Sequence, residues 1–177
     1  CMNMCPKNAI QMVTDEEGFY VPQINAEICV NCGKCYSVCP RNDDHHVDES
    51  LTGYLVRLKD SVNLKNSASG GVATALSVDV IKSGGYVAGV SYTSDFHDAE
   101  YILVNDLETL KKLQGSKYIR AKLNGIYEKV KNLLESGIYV LFIGLPCNIA
   151  GLKKYCKKDY QNLLTCELIC DGPTKTE

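Results

Sequence analysis

Cys29-Val30-Asn31-Cys32-Gly33-Lys34-Cys35-Tyr36-Ser37-Val38-Cys39-Pro40 spaces four cysteines as C-x2-C-x2-C-x3-C, with a proline after the last. This is the spacing of a thiolate run that holds cubane 4Fe-4S clusters. Such clusters pass single electrons, so the run points to redox work. A zinc site would use four tetrahedral ligands, usually as two separated pairs. A disulfide framework belongs to small secreted chains, and no signal peptide is visible at the start of this one. Iron–sulfur ligation accounts for the spacing best.

The chain opens with Cys1-Met2-Asn3-Met4-Cys5-Pro6, a C-x3-C-P segment. It matches the tail of a first run whose opening two cysteines are absent, so the natural protein is expected to begin upstream. In two-cluster bacterial ferredoxins the fourth cysteine of each run ligates the other cluster. By that rule Cys5 completes the set Cys29, Cys32 and Cys35, while Cys1 and Cys39 serve a second cluster. Between the runs, residues 10–21 read as a hairpin. Ile10, Met12 and Thr14 alternate with polar neighbours, and Asp15-Glu16-Glu17-Gly18 turns the chain. A ferredoxin-like module is thus expected over residues 1–45, its folding coupled to metal binding.

The chain has 177 residues, room for this small module and one ordinary domain. Its 19 basic and 21 acidic residues give a net charge of -2. No basic stripe appears, which argues against a nucleic-acid partner. The longest apolar run, 138–145, falls far short of the about 20 residues of a spanning helix. Thiolate clusters and free cysteines suit a reducing cytoplasm.

Residues 46–60 read as a linker and first strand, the strand at 54–58. His45 and His46, in the polar stretch before it, read as solvated loop residues. From residue 61 strands and helices alternate. A helix is expected over 72–82, ended by Ser83-Gly84-Gly85. Strands follow at 86–92 and 101–104, then a short helix capped by Asn105 with Glu108. Ile126, Val130, Leu133 and Leu134 recur at helical spacing over 123–136, and Gly137 stops that helix. Residues 138–143 are a buried strand. Pro146 suits the first position of the next helix, and 163–169 is a last strand. The pattern predicts an α/β layer fold around a largely parallel sheet, spanning 61–177.

Three further places carry candidate chemistry. Ser67-Ala68-Ser69-Gly70-Gly71 precedes a helix, where free N–H groups favour an anion; a plain capped helix start reads equally well. Gly115-Ser116-Lys117-Tyr118 lies between helices, with Lys117 set either to meet an acidic group or to be solvated in a turn. Cys147 follows the best strand at a helix start, where open α/β sheets bind ligands, though a buried inert thiol fits that position too. Cys166 and Cys170 are expected to share a face, and Cys156 is given no role.

Four blocks in order, Ser67-Ala-Ser-Gly-Gly71, Gly115-Ser-Lys-Tyr118, Leu141-Phe-Ile-Gly-Leu-Pro-Cys-Asn148 and Leu168-Ile-Cys-Asp-Gly172, resemble the beta-subunit family of coenzyme F-420 hydrogenase/dehydrogenase. The form resembled is the one with an N-terminal ferredoxin module. The resemblance implies an iron–sulfur flavoprotein that binds FAD. It would move electrons between a deazaflavin or ferredoxin donor and a substrate. It implies that Ser67, Ser69, Gly70, Gly71, Gly115, Ser116 and Lys117 lie on the flavin side, and that Cys147 and Cys170 ligate a further cluster. It also implies a C-terminal domain beyond Glu177. The chain departs at Asp171, where the family usually has His, and at Asn148, where it often has Gln. The rival expectation is a non-catalytic subunit that wires partner enzymes together through its clusters.

Overall fold

The computed structural model describes residues 2–42 and 51–172. Cys1 and the histidine pair lie outside them. The N-terminal unit is small. A 3-10 turn (Met2–Met4) leads to strand β1 (Ile10–Thr14), which pairs antiparallel with β2 (Tyr20–Ile24) in the register Met12 opposite Pro22. Asp15 makes the turn, its Oδ1 accepting the amides of Glu17 and Phe19 at 3.0 and 2.8 Å. Gly18 takes the left-handed conformation the turn requires, at φ +84°. Pro22 lacks an amide proton and is tolerated because a two-stranded ribbon is all edge. A short helix α1 (Lys34–Ser37) and a 3-10 turn (Pro40–Asn42) close the unit.

The second unit is a three-layer α/β sandwich. Its sheet has the order β4-β3-β5-β6, built from β3 (Tyr86–Tyr92), β4 (Ala99–Val104), β5 (Val140–Gly144) and β6 (Leu163–Glu167). β3 and β4 form an antiparallel hairpin; β5 runs parallel to β3, and β6 parallel to β5. The largely parallel sheet expected from the sequence is what forms.

Side chains alternate across a strand, and β5 shows why its sequence is apolar throughout. Val140 and Phe142 face one layer, Leu141 the other, and all three are fully buried. On the first side lie α5 (Ile126–Glu135) and α6 (Pro146–Cys156), contributing Ile126, Val130, Leu134, Ile149, Leu152 and Cys156. On the other lie α3 (Val72–Lys82) with Val80 and α4 (Leu107–Leu110) with Leu110. Full burial of each such side chain contributes about 1.5–3 kcal/mol. The helix and strand at 72–82 and 86–92 fall where the sequence places them. Pro146 stands in the first turn of α6, as expected.

Four expectations are corrected. Residues 54–58 form no strand, because no neighbouring strand is there to pair with them. Leu58 N–H bonds only to Gly70 C=O at 2.8 Å, and Tyr54 is 82% exposed. A short helix α2 (Ser61–Asn66) stands where none was expected, started by Asp60, whose carboxylate accepts from Asn63 N–H at 2.7 Å. The cap of α4 is Asp106, not Asn105: its side chain takes both Glu108 N–H and Thr109 N–H. Cys166 and Cys170 share no strand face, since β6 ends at Glu167. Cys166 packs half-buried against the α3 side, while Cys170 is exposed.

Three contacts seat the first unit on the second. Arg120 Nη1 donates to Tyr20 C=O at 2.7 Å. Lys122 Nζ lies 5.6 Å from the centre of the Tyr20 ring and is paired with Asp98 at 2.7 Å. Lys154 Nζ, in the last turn of α6, donates to Cys39 C=O at 3.1 Å.

Candidate metal centre

Cys5, Cys29, Cys32 and Cys35 line one cavity of about 190 Å³. Local structure puts them there. Cys5 closes the opening 3-10 turn, its N–H on Met2 C=O at 3.1 Å. Cys29 leaves β2 and is held by Asn25 C=O, also at 3.1 Å. Asn31 (φ +49°) and Gly33 (φ +69°) are both left-handed, which winds the chain tightly enough for Cys29, Cys32 and Cys35 to face one space. Asn tolerates this conformation better than most residues, and Gly meets no penalty there. Ala9, Ile10, Ile24 and Val30 supply an apolar wall.

The chemistry of this donor set matches a cubane cluster. A single water needs about 10–15 Å³ of such cavity space, so the cavity is far larger than one water or one bare ion requires. Four thiolates around one centre are the ligand set of a 4Fe-4S cluster. Ala9 N–H already points at Cys5 Sγ, 3.2 Å away, the kind of donor that stabilises a thiolate. Asn3 Nδ2 is a buried donor with no partner among the described residues. Among the described residues no three His, Cys, Asp or Glu side chains are grouped to hold a single ion.

Cys39 does not line this cavity. It opens the 3-10 turn that packs on α6, with its own N–H on Tyr36 C=O at 3.1 Å.

Residues 1–42 match the family model described as a 4Fe-4S dicluster domain. A seven-iron ferredoxin of Hydrogenibacillus schlegelii is 30% identical over 63 residues, covering 34% of this chain and 74% of that protein. Through its N-terminal module the chain belongs to the ferredoxins. The ferredoxin module is therefore of the 4Fe-4S type, whose business is single-electron transfer. Two relatives extend past the ferredoxin module. An uncharacterized protein of Methanocaldococcus jannaschii is 29% identical over 154 residues, 77% of this chain and 41% of that one. The coenzyme F420-dependent sulfite reductase of the same organism is 26% identical over 130 residues, 69% of this chain and 19% of that one. The chain thus spans less than half the length of either. The F420-reducing [NiFe] hydrogenase complex from Methanosarcina barkeri contains a chain of similar fold, with a TM-score of 0.54 and 21% identity over 71% of this chain and 47% of that chain. Among the described residues no helix is long and apolar enough to cross a membrane.

Outside the ferredoxin module, Asn63 of α2 bonds on one side to Ser67, in the first segment expected on the flavin side, and on the other to Gln114, which precedes the second. Gln114 Nε2 reaches Asn63 Oδ1 at 3.5 Å, and Ser67 Oγ donates to Asn63 C=O at 2.6 Å. The residues of the two segments differ in availability. Ser67 is also bonded to Thr74 at 2.6 Å. A side chain at Gly70 would strike the Val56 carbonyl, and one at Gly71 the Leu58 side chain. These glycines thus admit a close approach of the chain to itself. Ser69, Gly115 and Ser116 are exposed, and Gly115 has open space around it. Lys117 is half-buried with its Nζ on the carbonyls of Gln114 and Gly115, at 2.7 and 3.1 Å, and burial pushes its pKa down to about 8.

Cys147, in the first turn of α6, is exposed. The chain leaving β6 is tied to the end of β5 by Leu168 N–H on Gly144 C=O at 2.9 Å. Cys147 and Cys170 therefore emerge at the same, carboxyl, end of the sheet. The position of α6 is locked from below. Tyr101 O–H donates to Asn148 Oδ1 at 3.0 Å, and Tyr127 O–H to Asn148 C=O at 2.9 Å. Gly144 and Gly151 leave room for the two hydroxyls: a Cβ there would stand 2.5 and 2.8 Å from them. Burial raises both phenol pKa values well above the ordinary range. Both stay neutral donors. Sequence inspection missed this clamp; the signal available was a glycine on either side of Asn148, Gly144 at the end of β5 and Gly151 within α6.

Proposed function

We propose that the chain is the electron-transfer part of an iron–sulfur flavoprotein oxidoreductase. It would carry electrons between a deazaflavin F420-type or ferredoxin donor and a substrate, through 4Fe-4S clusters and FAD. The observation that carries this is the single cavity shared by Cys5, Cys29, Cys32 and Cys35. These four thiolates hold one cluster, Cys1 and Cys39 belong to a second, and Cys147 and Cys170 are available to a third site at the carboxyl end of the sheet. Bound clusters supply one-electron steps, and a bound flavin supplies the exchange between a hydride and single electrons. The protein's share is geometry. The apolar wall of Ala9, Ile10, Ile24 and Val30 limits water at the first cluster, and burial and hydrogen bonds to sulfur set its potential. Ser69, Gly115 and Ser116 form the open part of the flavin-side surface, with half-buried Lys117 behind them and Ser67, Gly70 and Gly71 supporting it. The working division is a module at 1–45, a connection at 46–60 and an α/β domain at 61–177. The F420-dependent sulfite reductase among the relatives supports a redox role of this class.

A second reading has its own observation. Gly70 and Gly71 are filled by the chain's own residues 56 and 58, which favours a subunit that wires partner enzymes together and holds no flavin. Anaerobic purification with iron, sulfide, zinc and flavin measured on one sample decides. Equal iron and sulfide, about four or more of each per chain as a cubane requires, with FAD retained, supports the flavoprotein. Iron and sulfide without flavin supports the wire. Zinc without sulfide overturns both.

A further inference from the structure

Lys153, Lys154, Lys157 and Lys158 stand within six positions at the C-terminal end of α6. Three of them, Lys153, Lys157 and Lys158, are exposed. In sequence this is a local charge cluster on a chain of net charge -2. The fold gives it a place. Lys154 Nζ donates to Cys39 C=O at 3.1 Å, and the 3-10 turn Pro40–Asn42, which carries exposed Arg41, packs on α6. Lys154 and Arg41 thereby stand at the edge of the ferredoxin module at Cys39, with Lys153, Lys157 and Lys158 beside Lys154 at the same end of α6. Among the described residues, the acidic groups close to these lysines in the fold include Asp159, which is exposed, and Glu135, which is engaged by Lys131 at 3.8 Å and Tyr160 at 3.3 Å; Asp43 and Asp44, which follow the turn in sequence, lie outside the described residues.

An aromatic ring stands at the same edge. Tyr36, between Cys35 and Cys39, is 72% exposed. Its carbonyl takes Cys39 N–H at 3.1 Å and Asn42 Nδ2 at 2.9 Å, which fixes its backbone to the turn that packs on α6. An exposed, backbone-anchored tyrosine on the turn that packs against a cationic helix end is the pattern of a protein-binding patch. Aromatic and arginine side chains are the usual anchors, and surrounding charge steers the encounter.

We propose that Tyr36, Arg41 and the lysines at the end of α6 form the docking surface for a one-electron carrier protein with an acidic face. The proposal rests on the cluster-binding reading above and names the partner class of that site. One electron leaves the reduced carrier, which is oxidised by one, and enters the module's cluster, which is reduced by one. No bond forms or breaks, and no proton need move. Placing the docking patch over Cys35 and Cys39 brings the two redox centres close without either leaving its own protein.

The test uses the full cluster-loaded chain and, as probe, a small bacterial 4Fe-4S ferredoxin of strongly negative net charge. Binding is measured by titration calorimetry at low and at physiological salt, and cluster reduction by stopped flow. The variant pair Lys153→Glu/Lys158→Glu is compared with Lys82→Glu/Lys112→Glu, which changes net charge equally on the α3 side of the sheet. The first pair is expected to weaken binding and slow reduction by about tenfold or more at low salt, with the difference shrinking as salt rises. The second pair is expected to leave both near the parent values, and Tyr36→Ala to weaken binding at either salt. Equal effects of the two charge pairs, or none, overturn the docking surface. Reduction by dithionite separates this from the cluster reading. Bleaching of the iron–sulfur absorbance in all variants shows the clusters intact whatever the docking result. No such absorbance in the parent chain sinks the cluster reading itself.

Discussion

Tyr101 and Asn148 are joined by a 3.0 Å hydrogen bond that links the edge strand β4 to the first turn of α6. Tyr101 also stacks on Phe142, with ring centres 5.2 Å apart. One side chain thus packs against β5 and holds the helix that follows it. Tyr101→Phe keeps the stacking and removes the donor. It is expected to cost about 1 kcal/mol of stability, read by denaturant unfolding. Gly144→Ala pushes a methyl group against both the Tyr101 hydroxyl and the Phe142 ring, and a larger loss, about 1–3 kcal/mol, is expected. If Gly144→Ala is neutral, the clamp is looser than its geometry states.

Cysteines divide by environment. Cys156 is buried in the α5–α6 core, where burial pushes its thiol up and keeps it protonated. Cys156→Ser is expected to cost about 1–3 kcal/mol through its desolvated hydroxyl, with iron content unchanged. Cys29→Ser is expected to lose the iron and sulfide of one cluster while the α/β unit keeps its unfolding transition. Iron loss in Cys156→Ser, with the protein still folded, would contradict this division.

Lys117 gives a pH dependence. Its pKa falls from 10.5 to about 8 in the folded chain because of burial. Between those values the unfolded chain binds the extra proton. The group's contribution to stability therefore rises with pH across this window and is constant below it. Anion binding follows the opposite course, since the ammonium is lost above about pH 8. FAD or another phosphate-bearing ligand is expected to bind more weakly as pH rises through that value, and Lys117→Met to bind weakly with no such step. Fluorescence titration with FAD from acid to alkaline pH reads this directly. A flat profile in the parent chain would remove Lys117 from the anion site.

Gly71 lies at φ +77°, and its missing side chain makes room for Leu58. Gly71→Ala faces both a strained backbone and a clash. It is expected to destabilise by about 1–3 kcal/mol. Gly115→Ala, also left-handed at φ +77° but with open space around it, is expected to cost about 1 kcal/mol. Thermal unfolding of the two side by side checks the order.

What could be read from the sequence follows the reach of each interaction. The cysteine run was legible because the three-residue steps that place Cys29, Cys32 and Cys35 on one cavity are local. Helix α3 and strand β3 were legible because Gly84 and Gly85 punctuate them and because their apolar residues repeat with the right period. Residues 54–58 were misread because strand propensity is worth little without a neighbour to pair with. Helix α2 was missed because six residues show too little period, although Asp60 before it was a usable cap. The role of Gly70 and Gly71 was hidden, since the atoms they accommodate come from residues 56 and 58. So was the seat of Cys39 on Lys154, 115 positions away.

The seat between the two units has a consequence for how such chains change over generations. Arg120 and Lys154 both grip main-chain carbonyls of the ferredoxin module, those of Tyr20 and Cys39. A carbonyl is present whatever side chain its residue carries. The identity requirement for these two bonds therefore falls on the α/β partner alone, and the module can drift in sequence, or be exchanged for a sister of the same backbone, without losing them.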